Sequence, residues 1–317
     1  MLTPFNMSKQ IVVSGAFDDL RSHHLRFLEE AAKLGQLTAL LWPDHAIHKL
    51  TAQAPKFPQA ERLYFLSAVR YVSRVHLVDG PLQPDALPQV PGLRPDVWVV
   101  GDCRANAAKA AHARARGIGY HVLGGEQLKG FPDPTAPSAR SADFQSAVSQ
   151  VSNLHSVLTS PAASRLKIGD TAEGNSALPV PRKKVVVTGC YDWFHSGHVR
   201  FFEEVSAYGD LYVIVGHDAN IRLLKGEGRP LFPHEERRYG VGSIRFVTQA
   251  LISSGHGWLD ADPEIQRIRP DLYAVNEEGN QGGKREYCVK HGIEYLVLQR
   301  APAPGLPKRS STDLRGF

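Results

Sequence analysis

Cysteine is almost absent: three residues in 317, Cys103, Cys190 and Cys288. So sparse and odd a set excludes a disulfide framework and points to a reducing compartment, so the cytoplasm is the expected location. No apolar run approaches the ~18 residues that a membrane helix needs, so no membrane span is expected. The start, Met1-Leu2-Thr3-Pro4, lacks a basic stretch leading into an apolar one, which speaks against a secretory signal. Also missing are a dense Lys/Arg block and an aromatic-studded basic groove, so no nucleic-acid partner is expected. What is present is an ordinary globular mixture, 42% hydrophobic and 22% charged, with a net charge of +5. That mild positive balance suits a phosphate-bearing small molecule. At ~150 residues per domain, the length suggests two domains.

The chain repeats itself. Residues 9–31 and 183–205 align without gaps, and eleven of these 23 positions are identical, among them Asp18/Asp192, Ser22/Ser196 and His24/His198. One residue is then lost from the first copy. Phe57-Pro58 next matches Phe232-Pro233, Glu61-Arg62 matches Glu236-Arg237, and Arg94-Pro95-Asp96 matches Arg269-Pro270-Asp271. The period is far longer than that of a solenoid, so the pattern reads as a duplicated domain. Between the copies, residues 130–182 are rich in Ser, Ala, Pro, Thr and Gly. They read as a flexible linker that holds at most a short helix near 144–157.

Each copy alternates strand and helix. In the second, Val185–Thr188 is a β-branched run ending at Gly189, and a helix is predicted from His198 to Tyr208. Further strands are predicted at Leu211–Val215, Leu272–Val275 and Tyr295–Leu298, with helices at Glu235–Val247 and Lys284–His291. This alternation predicts an α/β fold: two Rossmann-like, doubly wound parallel-sheet domains that bind ligands at the carboxyl ends of their strands.

Three segments carry chemistry. Gly189-Cys190-Tyr191-Asp192 leads into His195-Ser196-Gly197-His198 at the first strand–helix junction of copy two. Two imidazoles three residues apart share a helix face, and Gly197 leaves room for a phosphate near the helix N-terminus. After the second strand, Lys225-Gly226-Glu227-Gly228-Arg229 sets two cations in a glycine-flanked loop suited to a polyphosphate. Near the end, Arg309-Ser310-Ser311-Thr312 groups three hydroxyls and a guanidinium. They can hold a phosphate, or simply cap a helix. Arg237, at the start of a predicted helix, is either a further phosphate contact or a surface residue.

Together these features resemble the HxGH nucleotidyltransferase superfamily, the cytidylyltransferase-like group: His195–His198 matches HxGH and Arg309–Thr312 its C-terminal Ser/Thr loop. Gly189–Asp192 is similar to glycerol-3-phosphate and ethanolamine-phosphate cytidylyltransferases, while Lys225–Pro230 is closer to heptose-1-phosphate adenylyltransferases. The base, CTP or ATP, and the acceptor stay open. The resemblance implies that a phosphorylated small molecule attacks the α-phosphate of an NTP and displaces pyrophosphate. The alternative is a non-catalytic, nucleotide-binding regulatory protein. On this resemblance His195, His198, Lys225 and Arg229 are catalytic. Gly189, Cys190, Tyr191, Asp192, Gly197, Arg309, Ser310, Ser311 and Thr312 bind nucleotide. Mg²⁺ is expected, with Asp192 and Asp218 as weak ligand candidates, and a homodimer is an admissible assembly.

In the first copy, Arg21-Ser22-His23-His24 replaces the HxGH residues, Thr51 stands for Lys225, and only Arg140–Asp143 faintly echoes the Ser/Thr loop. The expected organisation is a degenerate nucleotidyltransferase-like domain at 8–129, the linker at 130–182 and a catalytic domain at 183–317.

Overall fold

The computed structural model describes residues 9–132, 182–311 and 314. Almost all of the expected linker, including the helix expected near 144–157 and Arg140–Asp143, lies outside the described residues, as does Thr312. The first half runs β1 (Gln10–Gly15), α1 (Ser22–Ala32), β2 (Gln36–Leu41), α2 (Asp44–Thr51), α3 (Gln59–Ala68), β3 (Arg74–Leu77), β4 (Val97–Gly101), α4 (Ala107–Ala115) and β5 (Gly119–Leu123). The second runs β6 (Lys184–Gly189), α5 (Ser196–Ser206), β7 (Asp210–Val215), α6 (Asp218–Lys225), α7 (His234–Gly242), β8 (Val247–Ile252), α8 (Asp262–Ile268), β9 (Leu272–Asn276), α9 (Lys284–His291) and β10 (Glu294–Leu298). Two all-parallel, five-stranded sheets result, ordered β3-β2-β1-β4-β5 and β10-β9-β6-β7-β8, the same topology twice. The α/β expectation of two Rossmann-like sheets holds. No helix among the described residues is long and apolar enough to cross a membrane.

The predicted helix 235–247 is shorter than expected. It stops at Gly242, and Val247 opens β8 instead. The chain leaves the helix because Ile244 forms an antiparallel bridge with Val69 of the other copy. Sequence periodicity within one copy cannot register that contact.

Strand pleating decides what each side chain buries. Ile11 and Val13 of β1 and Val185 and Val187 of β6 enter one apolar core shared by both copies. Their neighbours Val12 and Val186 point the other way, each into a separate outer core. The shared core is closed by α1, α3, α5 and α7, with Leu28, Leu66, Phe202 and Tyr239 buried between the copies.

Polar contacts across this interface come in equivalent pairs, as a two-fold axis through the Val69–Ile244 bridge requires. Arg70 N–H donates to Ser243 O at 2.9 Å, and Arg245 N–H donates to Ala68 O at 2.9 Å. The Arg70 guanidinium donates to the carbonyls of Ile244 and Val247, and that of Arg245 to those of Val69 and Val72. Tyr64 donates to Glu203 at 2.6 Å, and Tyr239 to Glu29 at 2.9 Å. Ser196 donates to Glu61 at 2.6 Å, and Ser22 to Glu236 at 2.5 Å. The two copies therefore pack as the halves of a pseudo-symmetric dimer inside one chain.

Burial and the nearby Arg70 charge pull the Arg245 guanidinium down to about 10, a sign of how little water reaches the axis. Arg245→Ala takes the guanidinium from the Val72 carbonyl and leaves that of Val69 with the Val72 N–H as its donor. It should cost about 2–3 kcal/mol, read as a lower urea midpoint at an unchanged slope.

Candidate active site

The turn from β6 to α5 is drawn tight. Tyr191 takes a left-handed backbone, φ 54°, and its counterpart Phe17 does the same at φ 47°. A bulky residue rarely sits there, so the surrounding packing must hold it. Gly189 makes this possible: a Cβ on it would lie 2.8 Å from the Tyr191 ring. Tyr191 and Phe194 then wall the His198 imidazole, the Phe194 ring stacking at an interplanar angle of 4°.

His195 caps α5. Its Nδ1 accepts from Gly197 N–H at 3.1 Å, and its own N–H donates to His198 Nδ1 at 3.4 Å. The two rings stack with centroids 3.9 Å apart. An imidazole whose Nδ1 accepts, when neutral, carries its proton on Nε2. Burial first, then the charges of His195, Arg300 and Lys225, push His198 well below the usual histidine range, so it is neutral near pH 7. Its Nε2–H is thus a donor without a net charge. Gly197 has a further reason for its small size besides the room for a phosphate that the sequence suggests. A Cβ there would meet the His195 ring at 2.9–3.0 Å, and it lies 3.6 Å from Arg309 O.

A cleft of about 210 Å³ opens at this helix head. It brings together His195, Gly197 and His198 with Ser310 and Ser311, two segments more than a hundred residues apart. Ser311 Oγ also donates to Trp193 O at 3.3 Å, which ties the terminal loop to the β6–α5 turn. Phe201, Glu204, Asn276, Glu278, Gln299, Arg300 and Ala301 complete the wall. Sequence reasoning missed these seven as site residues. Asn276 ends β9, and the rule that ligands gather at strand carboxyl ends could have found it. Arg300 sits in an irregular, proline-flanked segment with no pattern to mark it. Its guanidinium pairs with Glu278 and donates to Arg309 O, which links the strand-end wall to the Ser/Thr loop.

The remaining expected residues are placed differently. Lys225 ends α6 and is exposed, near enough to help lower His198 and the Cys190 thiol. Burial outweighs that effect on Cys190 and pushes the thiol up. Arg229 is exposed on the following loop and does not line the cleft. Asp192 Oδ1 accepts from Leu231 N–H at 2.8 Å and Phe232 N–H at 3.0 Å, so it clamps that loop. Asp218 pairs with Arg237 at 2.7 Å and His234 at 3.0 Å. Its hydrogen bonds from Arg237 and His234 outweigh burial and hold its carboxyl below the usual range. Both weak metal candidates thus have structural tasks, and no group of three metal-ligating side chains occurs among the described residues. Arg309 is also engaged, with Glu61 of the first copy at 2.8 Å.

Arg237 is neither a phosphate contact nor a surface residue. Its side chain is 1% exposed and donates to the carbonyls of Cys190, Gly216 and Phe232 as well as to Asp218. It therefore joins the ends of β6 and β7 to the loop that Asp192 clamps. Arg62 repeats the node in the first copy, with Ala16, Trp42, Phe57 and Asp44 as partners. There the residue standing for His195 is Arg21. It pairs with Asp19 at 2.7 Å and lies 4.5 Å over the Trp193 ring of the other copy.

Residues 186–315 match the cytidylyltransferase-like family. The FAD synthase of Ferroglobus placidus is 36% identical over 120 residues, which cover 37% of this chain and 75% of the relative. The FAD synthase of Methanocella arvoryzae is 30% identical over 136 residues, 42% of this chain and 93% of the relative. A shorter stretch of 72 residues is 39% identical to the bifunctional protein HldE of Aliarcobacter butzleri, covering 22% of this chain and 15% of that protein. The chain belongs to the cytidylyltransferase-like nucleotidyltransferases. It is an enzyme that moves a nucleoside monophosphate from an NTP to a phosphorylated small molecule.

Replacing Arg237 with Met leaves three carbonyls without its guanidinium and Asp218 with His234 as its remaining partner, so Arg237→Met should cost about 3–5 kcal/mol in chemical unfolding. Stability should also fall on acidification. Burial, then the His23 charge, lowers His24 to about 4, and His198 is lowered too. Below pH 6.5 the unfolded chain takes up these protons and the native state does not. Each histidine should therefore remove up to ~1.4 kcal/mol per pH unit, ending near pH 4 for His24. Unfolding titrations between pH 7.5 and 5 check this, and His24→Gln should flatten the slope.

Proposed function

We propose that the second copy, residues 183–317, adenylylates a phosphorylated acceptor from ATP, and that FMN is the acceptor. The observation that carries this reading is the single cleft shared by His195, His198, Arg300, Ser310 and Ser311. The FAD synthase relatives support the choice of ATP and FMN over the cytidylyl alternatives. No protein nucleophile is required. The acceptor phosphate attacks the α-phosphate, and catalysis is placement plus stabilisation of charge on the phosphoryl oxygens.

In this reading the Nε2–H of His198 donates to a non-bridging α-phosphate oxygen, with His195 beside it. Lys225 and Arg229, both exposed on a loop anchored by Asp192 and Arg237, close on the β- and γ-phosphates. Ser310 and Ser311 hold the nucleotide from the opposite wall, Thr312 of the same loop is assigned to nucleotide binding, and Gly189–Asp192 shape the turn beneath it. Mg²⁺ enters with the nucleotide as part of the substrate, because the carboxylates expected to hold it already serve the loop and Arg237. The first copy, residues 8–129, does not turn over substrate, since Arg21 stands where His195 would and packs on Trp193. One chain is the working unit rather than a homodimer, because the two copies already bury their common face. The free cysteines suit a reducing compartment such as the cytoplasm.

Pyrophosphate release tests the reading. ATP with FMN should turn over, while CTP with glycerol 3-phosphate and ATP with a sugar 1-phosphate should not. His198→Ala should lower kcat by about 10²–10³-fold. Release with CTP alone, or with no pair, overturns the proposal.

A further inference from the structure

Most interface pairs obey the two-fold axis; Arg21 over Trp193 departs from it, and so does a contact that falls on the candidate site. Glu61 and Glu236 are equivalent. Each accepts a hydroxyl from the head of the opposite copy's first helix, Ser196 and Ser22 respectively. Glu61 does more. Its carboxylate also takes Arg309, with Nε at 3.1–3.2 Å and Nη2 at 2.8 Å. The Glu61 side chain is 3% exposed, and the Arg309 guanidinium lies 5.3 Å over the Phe57 ring, also of the first copy. One buried carboxylate of the degenerate copy therefore grips two of the catalytic-copy segments that line the cleft, the head of α5 and the terminal loop. Ser196 lies between the two histidines, and Arg309 immediately precedes the two serines.

We propose that Glu61 is a positioning residue for the transfer reaction, supplied to the second copy's site by the first. A charge-assisted, two-point hold on Arg309 fixes the Ser310–Ser311 turn against the head of α5 before nucleotide arrives. The Arg309 guanidinium is consequently a structural anchor, and its charge is spent on Glu61 rather than on a phosphate. The first copy is kept folded in part because the site is incomplete without it. This inference rests on the proposed transfer activity and assigns a second function to the half that lacks its own HxGH residues.

Glu61→Gln keeps an acceptor for Ser196 and removes the charge that holds Arg309. It should raise the nucleotide KM about 10-fold, with kcat within about 3-fold of wild type, because the ground-state cradle is loosened. Glu61→Ala also frees Ser196 and should lower kcat as well. Arg309→Gln should match Glu61→Gln, and the double variant should be no worse than either single, the mark of a coupled pair. Ser22→Ala breaks the symmetry-related bond and should leave both constants unchanged. A wild-type KM in Glu61→Gln, or KM effects that multiply in the double variant, overturns the proposal. Hydrogen exchange of the 308–311 segment without nucleotide separates this from the activity itself. Glu61→Gln should speed that exchange about 10-fold and Ser22→Ala should not. If wild-type protein turns over no substrate pair, the functional reading fails while unequal exchange still upholds the positioning role. Equal exchange in all three proteins removes it.

Discussion

A single apolar core shared by two homologous halves governs this molecule. Alternate residues of β1 and β6 enter it, and each half has only a smaller core of its own besides. Hydrophobic burial scales with area removed from water, so separating the halves would expose the larger share of what holds each together. Ordering the guanidiniums of Arg70 and Arg245 at the axis makes sense in that setting. Each satisfies carbonyls that the opposing copy leaves pointing into a dry interface.

Within each half, a second constraint acts at the strand ends. A guanidinium buried beneath the β6 and β7 termini gathers three carbonyls and one carboxylate, and the loop bearing Lys225 and Arg229 is stitched to it through Phe232 and Asp192. The end of α6 and the loop after it are otherwise exposed and carry exposed leucines as well, Leu223 and Leu224 on the helix and Leu231 on the loop. The far end of the loop is anchored and the stretch before it is exposed, a sensible division for a segment that must close on a highly charged ligand. The histidines follow another logic. They are held by backbone groups and aromatic walls, which fix the direction of their rings.

Much of this could be read from the sequence, and the limits have physical causes. The strand–helix alternation and the duplication follow from local pattern, while the meeting of 195–198 with 310–311 is what the family resemblance implied. The helix expected to run to Val247 ended early because a residue of the other copy captured Ile244. Arg237 looked like a surface position because its partners come from three separate turns. Arg300 and Glu61 act through contacts with no local signature; Glu61 and Arg309 are 248 positions apart. Asp192 also has an architectural task that the repeat foreshadows. Its equivalent Asp18 persists in the copy that has lost the first histidine, and it makes the same clamp to Lys56 and Phe57. A carboxylate kept in both copies points to a part in holding the loop.

The internal dyad also bears on how such a chain can change. In a dimer of identical subunits every substitution is made twice, so no face can improve at one site without altering the other. Tandem fusion lifts that restriction. Phe57 and Glu61 could become a seat for the partner's terminal loop, and Arg21 a lid over Trp193, while their counterparts Phe232, Glu236 and His195 kept their separate duties. Division of labour between once-equal halves is thus a direct product of the covalent link between them.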